Sequence, residues 1–263
     1  MKKIFLILNI VFISLTGVIL IALQLQPMGW LFLLAGLISL FFCSPGVKKD
    51  FLLVYLGLAL LAIAPINTDL GFKHVLTMGL ILFLAVALPY LVSKHIYQDD
   101  LVSFPWHHGR NWFKPEIFYL GLAAAAIGYF SLPFYLKNTG AYLNWLVEPG
   151  SSSLIGLLVA IGALGVWDEI FFSSVIFRVL KRHLPFMAAN FIRALLFSVF
   201  LYQLGFTGWG FVPIFIFAWS QGYIFNKTNS LFYVTVIHLT LDLILFLALI
   251  SAYYPDWLPI FIT

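Results

Sequence analysis

The residues of this chain able to do chemistry are few, and they fall in one half of it. Asp168, Glu169, Arg193, His238 and Asp242 sit inside long apolar runs, with the uncharged Gln203 and Gln221 for company. An ionisable side chain at the centre of a hydrocarbon-embedded helix costs about 2.5–3.5 kcal/mol on insertion scales, so such residues pair with one another or work. A carboxylate and a histidine at one depth can activate a water molecule, directly or through a metal ion. His238 and Asp242 are four residues apart, the spacing that puts both on one helix face. Asp168 and Glu169 are adjacent and diverge by about 100°, so only one of them is expected to face a given point. The competing structural explanation is an ion pair between Arg193 and one of these acids that fixes helix packing, with His238 a hydrogen-bonded core residue.

The elements that must position these groups are membrane helices. Of the 263 residues 63% are hydrophobic and 9% charged, with a mean hydropathy of +1.04. Soluble domains carry about 25% charged residues, which excludes that class. A single cysteine, Cys43, excludes a disulfide-stapled fold. The net charge of +4 is no signal for nucleic acid, because in a membrane protein the position of the charges matters more than their sum. About 20 apolar residues cross the hydrocarbon layer. On that ruler the candidate spans are 4–23, 28–44, 51–66, 73–93, 116–136, 152–177, 187–206, 208–225 and 231–252. The fold class is therefore all-α: a polytopic membrane bundle of eight or nine helices. The first span follows Met1-Lys2-Lys3 but is too long for a signal peptide and lacks a cleavage site, so it is expected to stay as an anchor.

With the N-terminus inside, the cytoplasmic segments hold eleven basic residues and the outward loops only Lys73 and Lys137, a strong positive-inside bias. The longest loop, 93–115, carries Trp106, His107, His108, Arg110 and Trp112 and suits the lipid headgroup level. The two adjacent histidines are read as an interfacial pair, not a metal site. This loop divides a scaffold and interfacial part, 1–115, from a part that holds the chemistry, 116–263. Glu169 and His238 lie eight and seven residues from the cytoplasmic ends of their spans, and Arg193 six. At 1.5 Å per residue all three share a level about 9–12 Å below the inner surface.

At these residues the sequence resembles the CAAX-protease and bacteriocin-processing (CPBP) family of intramembrane endopeptidases, over about residues 150–250. The family's first motif, Glu-Glu-x-x-x-Arg, is met by Asp168-Glu169-Ile170-Phe171-Phe172-Ser173, followed by the basic stretch Arg178 to Arg182. The second, Phe-x-x-x-His, has its counterpart in Phe197-Ser198-Val199-Phe200-Leu201. The third, His-x-x-x-Asn or His-x-x-x-Asp, is met by His238-Leu239-Thr240-Leu241-Asp242, after the lead-in Gly222 to Leu231. Two positions depart: Ser173 stands for the arginine and Leu201 for a histidine. Asp168 is a milder change.

The resemblance implies that Glu169 activates water, that His238 is a metal ligand or a water-positioning group, that Asp242 steadies the oxyanion, and that Asp168 belongs to the same site; the residues on offer as metal ligands are Glu169 and His238, with Asp242 a possible third. The implied cofactor is a divalent metal, zinc, short of one ligand because leucine has no lone pair. Gln203 faces about 200° away from Leu201 and is no replacement, whereas Arg193 is at a workable depth to partner Asp168 or Glu169. The implied function is cleavage of a peptide or prenylated protein near the cytoplasmic leaflet. The alternatives are an inactive relative that binds a membrane partner, as in bacteriocin immunity, and a transporter using the same groups as a polar relay. Membrane lipid and a peptide or lipidated protein are the expected partners, and a bacterial inner membrane the expected location.

Overall fold

A computed structural model describes residues 2–106, 114–122 and 128–261. His107, His108, Arg110 and Trp112 lie outside them. Every expected span holds helix. Lys2–Leu15 (α1) continues as a π-helix, Thr16–Ala22; Gln26–Ser39 (α2), Pro45–Ile63 (α3) and Phe72–Leu91 (α4) follow. Lys114–Leu122 (α5) and Leu132–Thr139 (α6) occupy the fifth expected span. Then come Ser151–Asp168 (α7), a π-helical stretch Glu169–Phe177, Arg178–His183 (α8), Phe186–Gln203 (α9), Phe211–Thr228 (α10) and Leu231–Tyr253 (α11). Among the described residues five helices are long and apolar enough to cross a membrane, and 26–42 is a shorter apolar helix. The chain is an integral, multi-pass helical bundle.

Local chemistry sets the boundaries. Proline begins α2, α3 and α6, where its missing N–H would be unpaired in any case. Ser230 caps α11 by accepting from the Tyr233 amide at 3.2 Å, and Asn229, at φ 47°, makes the sharp turn before it. Two boundaries differ from expectation. The span expected at 51–66 starts at Pro45, so Lys48, Lys49 and Asp50 lie in its first turns. The span expected at 208–225 begins at Phe211, because Gly205 and Gly208 take positive φ in the turn after α9.

The bundle has two unlike ends. At one, Lys49 and Arg182 both meet Asp99, Arg182 and His183 meet Asp50, Arg178 donates to Ser103 and Asn229, and Lys181 to Asn226. At the other, side chains donate to backbone carbonyls: Tyr135 to those of Gly205 and Thr207, Gln203 to those of Ile21 and Ala22, and Tyr254 to that of Val147. The π-helical stretch 16–22 packs on α9, and α3 on α8, so the N-terminal helices wrap the part that holds the buried charges. Asp50, just ahead of the third expected span, is a further buried charge: it is 1% exposed, held by His183 at 2.7 Å and Arg182 at 3.3 Å.

Candidate functional site

Four helices deliver the site. The α7 helix ends at Asp168 and turns π-helical at Glu169, a wider coil often found at functional positions. Arg193 comes from α9, Gln221 from α10, and His238 and Asp242 from α11.

Glu169 is fully buried, and four donors surround it. Oε2 accepts from Arg193 Nη2 at 3.1 Å and from Ser173 Oγ at 2.9 Å. Oε1 lies 3.1 Å from His238 Nδ1 and accepts from Gln221 Nε2 at 3.4 Å. An ionised carboxylate has about four lone-pair sites, and here each has a donor. Arg193 also donates to Ser173 Oγ at 3.0 Å and to the Ala218 carbonyl, while Gln221 donates to the Val234 carbonyl. The arginine missing at Ser173 is thus supplied from α9, with Ser173 as the small hydroxyl that leaves it room.

An ionised Glu169 can only accept, so His238 Nδ1 carries the hydrogen and Nε2 points the other way. Two acids meet it there. Asp168 Oδ2 and Asp242 Oδ1 each lie 3.8 Å from His238 Nε2. The remaining oxygens, Asp168 Oδ1 and Asp242 Oδ2, are buried without a protein partner among the described residues. Adjacent acids were expected to exclude one another from a common point. Both instead reach one imidazole, because its two nitrogens lie on different edges and each acid takes one. Phe197 and Phe217 box the ring at 5.6 and 5.5 Å between centroids.

Asp168, His238 and Asp242 form the polar wall of a cavity of about 70 Å³. Its other walls are apolar, and Leu201 is one of them. Glu169 and Arg193 do not reach it. Gln203 ties α9 to the first helix and is far from the site, as its direction implied. Ser173 and Gln221 complete the Glu169 shell. Gln221 is marked in sequence only as a polar residue in an apolar run, and Ser173 only as the place where the motif's arginine is missing.

This geometry decides the fit of a metal. Glu169, expected as a ligand and as the base, has its lone pairs filled and stands behind His238 instead of on the cavity. Leu201 brings no donor. Among the described residues no group of three or more His, Cys, Asp or Glu is arranged to hold a metal ion. The residues present do not fit zinc.

No curated protein and no solved structure matches the chain. Residues 150–244, a little over a third of it, match the family model described as type II CAAX prenyl endopeptidase Rce1-like. The matched segment holds the whole cluster, so the likeness to that family extends to the residues of the site.

Proposed function

We propose that the chain hydrolyses a peptide bond within the membrane, with Asp168 and Asp242 as an acid–base pair organised by His238. The carrying observation is the pair of aspartates at His238 Nε2, each with a buried oxygen that no donor among the described residues meets, and both lining one cavity. In this reading Asp168 is ionised and Asp242 protonated. Asp168 takes a proton from a water whose oxygen bonds to the scissile carbonyl carbon, while the carbonyl oxygen takes the displaced electron pair. Asp242 donates a hydrogen bond to that oxyanion, a role a charged carboxylate cannot fill. The carbonyl re-forms as the C–N bond breaks, and the proton held by Asp168 passes to the departing nitrogen. His238, fixed by Glu169, holds the water with Nε2. Glu169, Arg193, Ser173 and Gln221 are positioning residues.

A second reading is favoured by Leu201: a relative that keeps the site's shell but binds a peptide or membrane partner without cutting it. One experiment separates them. Purified protein in liposomes is offered a prenylated CAAX peptide and an apolar leader peptide, alongside Asp168→Asn and Asp242→Asn. Cleavage by the parent, lost in both variants, supports the first reading. A folded parent that binds a peptide and cuts neither supports the second.

A further inference from the structure

The cations at the charged end of the bundle divide into two sets. Arg182 and Lys49 are neutralised: both meet Asp99, and Arg182 also meets Asp50. Arg178 and Lys181 meet only uncharged acceptors among the described residues. The half-buried Arg178 donates from Nη1 to Ser103 Oγ and from Nη2 to Asn229 Oδ1 at 2.9 Å, and its Nε is buried without an acceptor there. The exposed Lys181 donates to Asn226 Oδ1. Phe225 lies 5.9 Å from the Arg178 guanidinium and Phe177 5.9 Å from the Lys181 ammonium. Arg178, Lys181 and Arg182 stand at i, i+3 and i+4 on α8, the spacing that puts all three on one face.

That face walls a second cavity, of about 730 Å³, with Asn226 from the last turn of α10 and Asn229 from the turn after it. Asn226 gives its oxygen to Lys181, and its amide hydrogens have no acceptor among the described residues. Two acids also line the cavity, Asp99 and the exposed Asp100. With Asp99 taken by Arg182, two cations remain against one acid. A guanidinium fork beside an ammonium is a donor set suited to phosphate oxygens. We infer that this cavity binds a phosphate group between Arg178 and Lys181, with the Asn226 amide as a further donor. The positive-inside bias expects this end at the cytoplasmic leaflet, where a basic pocket between helices meets anionic headgroups. An anionic phospholipid and a soluble phosphate both offer that group. No residue of this cavity lines the one at His238, so the inference stands apart from the hydrolytic reading.

The test reads binding, so an inert protein cannot mask it. Purified protein in an uncharged detergent is offered phosphatidylglycerol or phosphatidylcholine, and retained lipid is counted by native mass spectrometry. Inorganic phosphate is titrated separately by calorimetry. The parent should retain phosphatidylglycerol in preference to phosphatidylcholine or bind inorganic phosphate. Arg178→Gln and Lys181→Gln should each weaken that binding about fivefold. Asp100→Asn should strengthen it, a gain that a misfolded protein cannot produce. Lys48→Gln removes a cation that lies over Phe41, outside the cavity, and should leave binding unchanged. Lipid retained while inorganic phosphate fails to bind assigns a headgroup; inorganic phosphate bound through the same residues assigns a soluble ligand. A parent that binds no inorganic phosphate and retains both lipids equally or neither, or a loss in Lys48→Gln as large as in Lys181→Gln, overturns the inference.

Discussion

Arg193 and Glu169, on neighbouring helices, form a fully buried ion pair with 3.1 Å between Nη2 and Oε2. The pair does not face the cavity. It stands behind His238 and orients it. Removing one partner of a buried pair leaves a charge uncompensated, which costs about 3–5 kcal/mol, whereas replacing both with apolar groups is often neutral.

Arg193→Leu alone should therefore abolish most folded yield, and Arg193→Leu with Glu169→Leu should recover much of it. Melting curves in detergent read this directly. Equal loss in the single and double variants would remove the pair from the account of the fold. Recovered protein should still lack cleavage, because His238 loses its orienting acceptor.

Gly165 sits where a side chain would strike the Asp242 carboxylate, with His238 Cδ2 3.4 Å away. Alanine in a helix is ordinarily better than glycine by about 0.5–1 kcal/mol. Gly162→Ala, whose nearest neighbour is Leu239 Cδ2 at 3.6 Å, should collect that gain and melt slightly higher. Gly165→Ala should melt lower and lose activity as Asp242 is displaced. Opposite signs from two glycines one turn apart are a sharp test of the packing between α7 and α11.

The donor set predicts that protein purified without chelator carries no stoichiometric zinc, and that chelators leave its melting temperature unchanged. Leu201→His adds an imidazole to the cavity wall and should raise zinc content above that of the parent. Stoichiometric zinc in the parent, lost in His238→Ala, would refute the assignment of Glu169 to a purely orienting role.

At the charged end, the Arg182 hydrogen bond, helped by Lys49, holds the Asp99 carboxyl down at about 2. An unfolded aspartate titrates near 3.9. Stability from this contact is fully present above that value and is lost as pH falls from about 4 through 2. Asp99→Asn should flatten the acid limb of a stability profile over that window and leave the neutral region nearly parallel to the parent. Because Arg182 is 38% exposed, high salt should shrink the difference.

The sequence alone determined that this is a membrane bundle and that the few charges inside the apolar runs of 150–250 form one group. Apolar run length and charge placement answer directly to the bilayer, so they are legible one residue at a time. It also placed Arg193 at the right level to stand in for the arginine missing at Ser173. The choice of partner was beyond it. Depth is a one-dimensional quantity, and only the tertiary structure adds the azimuth of each helix and the π-helical turn at Glu169. That second coordinate sends Arg193 to Glu169, fills all four lone-pair sites of that carboxylate, and turns Asp168, not Glu169, toward the cavity. It also found Asp50, hidden because a lysine-rich helix start reads as a loop until His183 and Arg182 are seen closing over it.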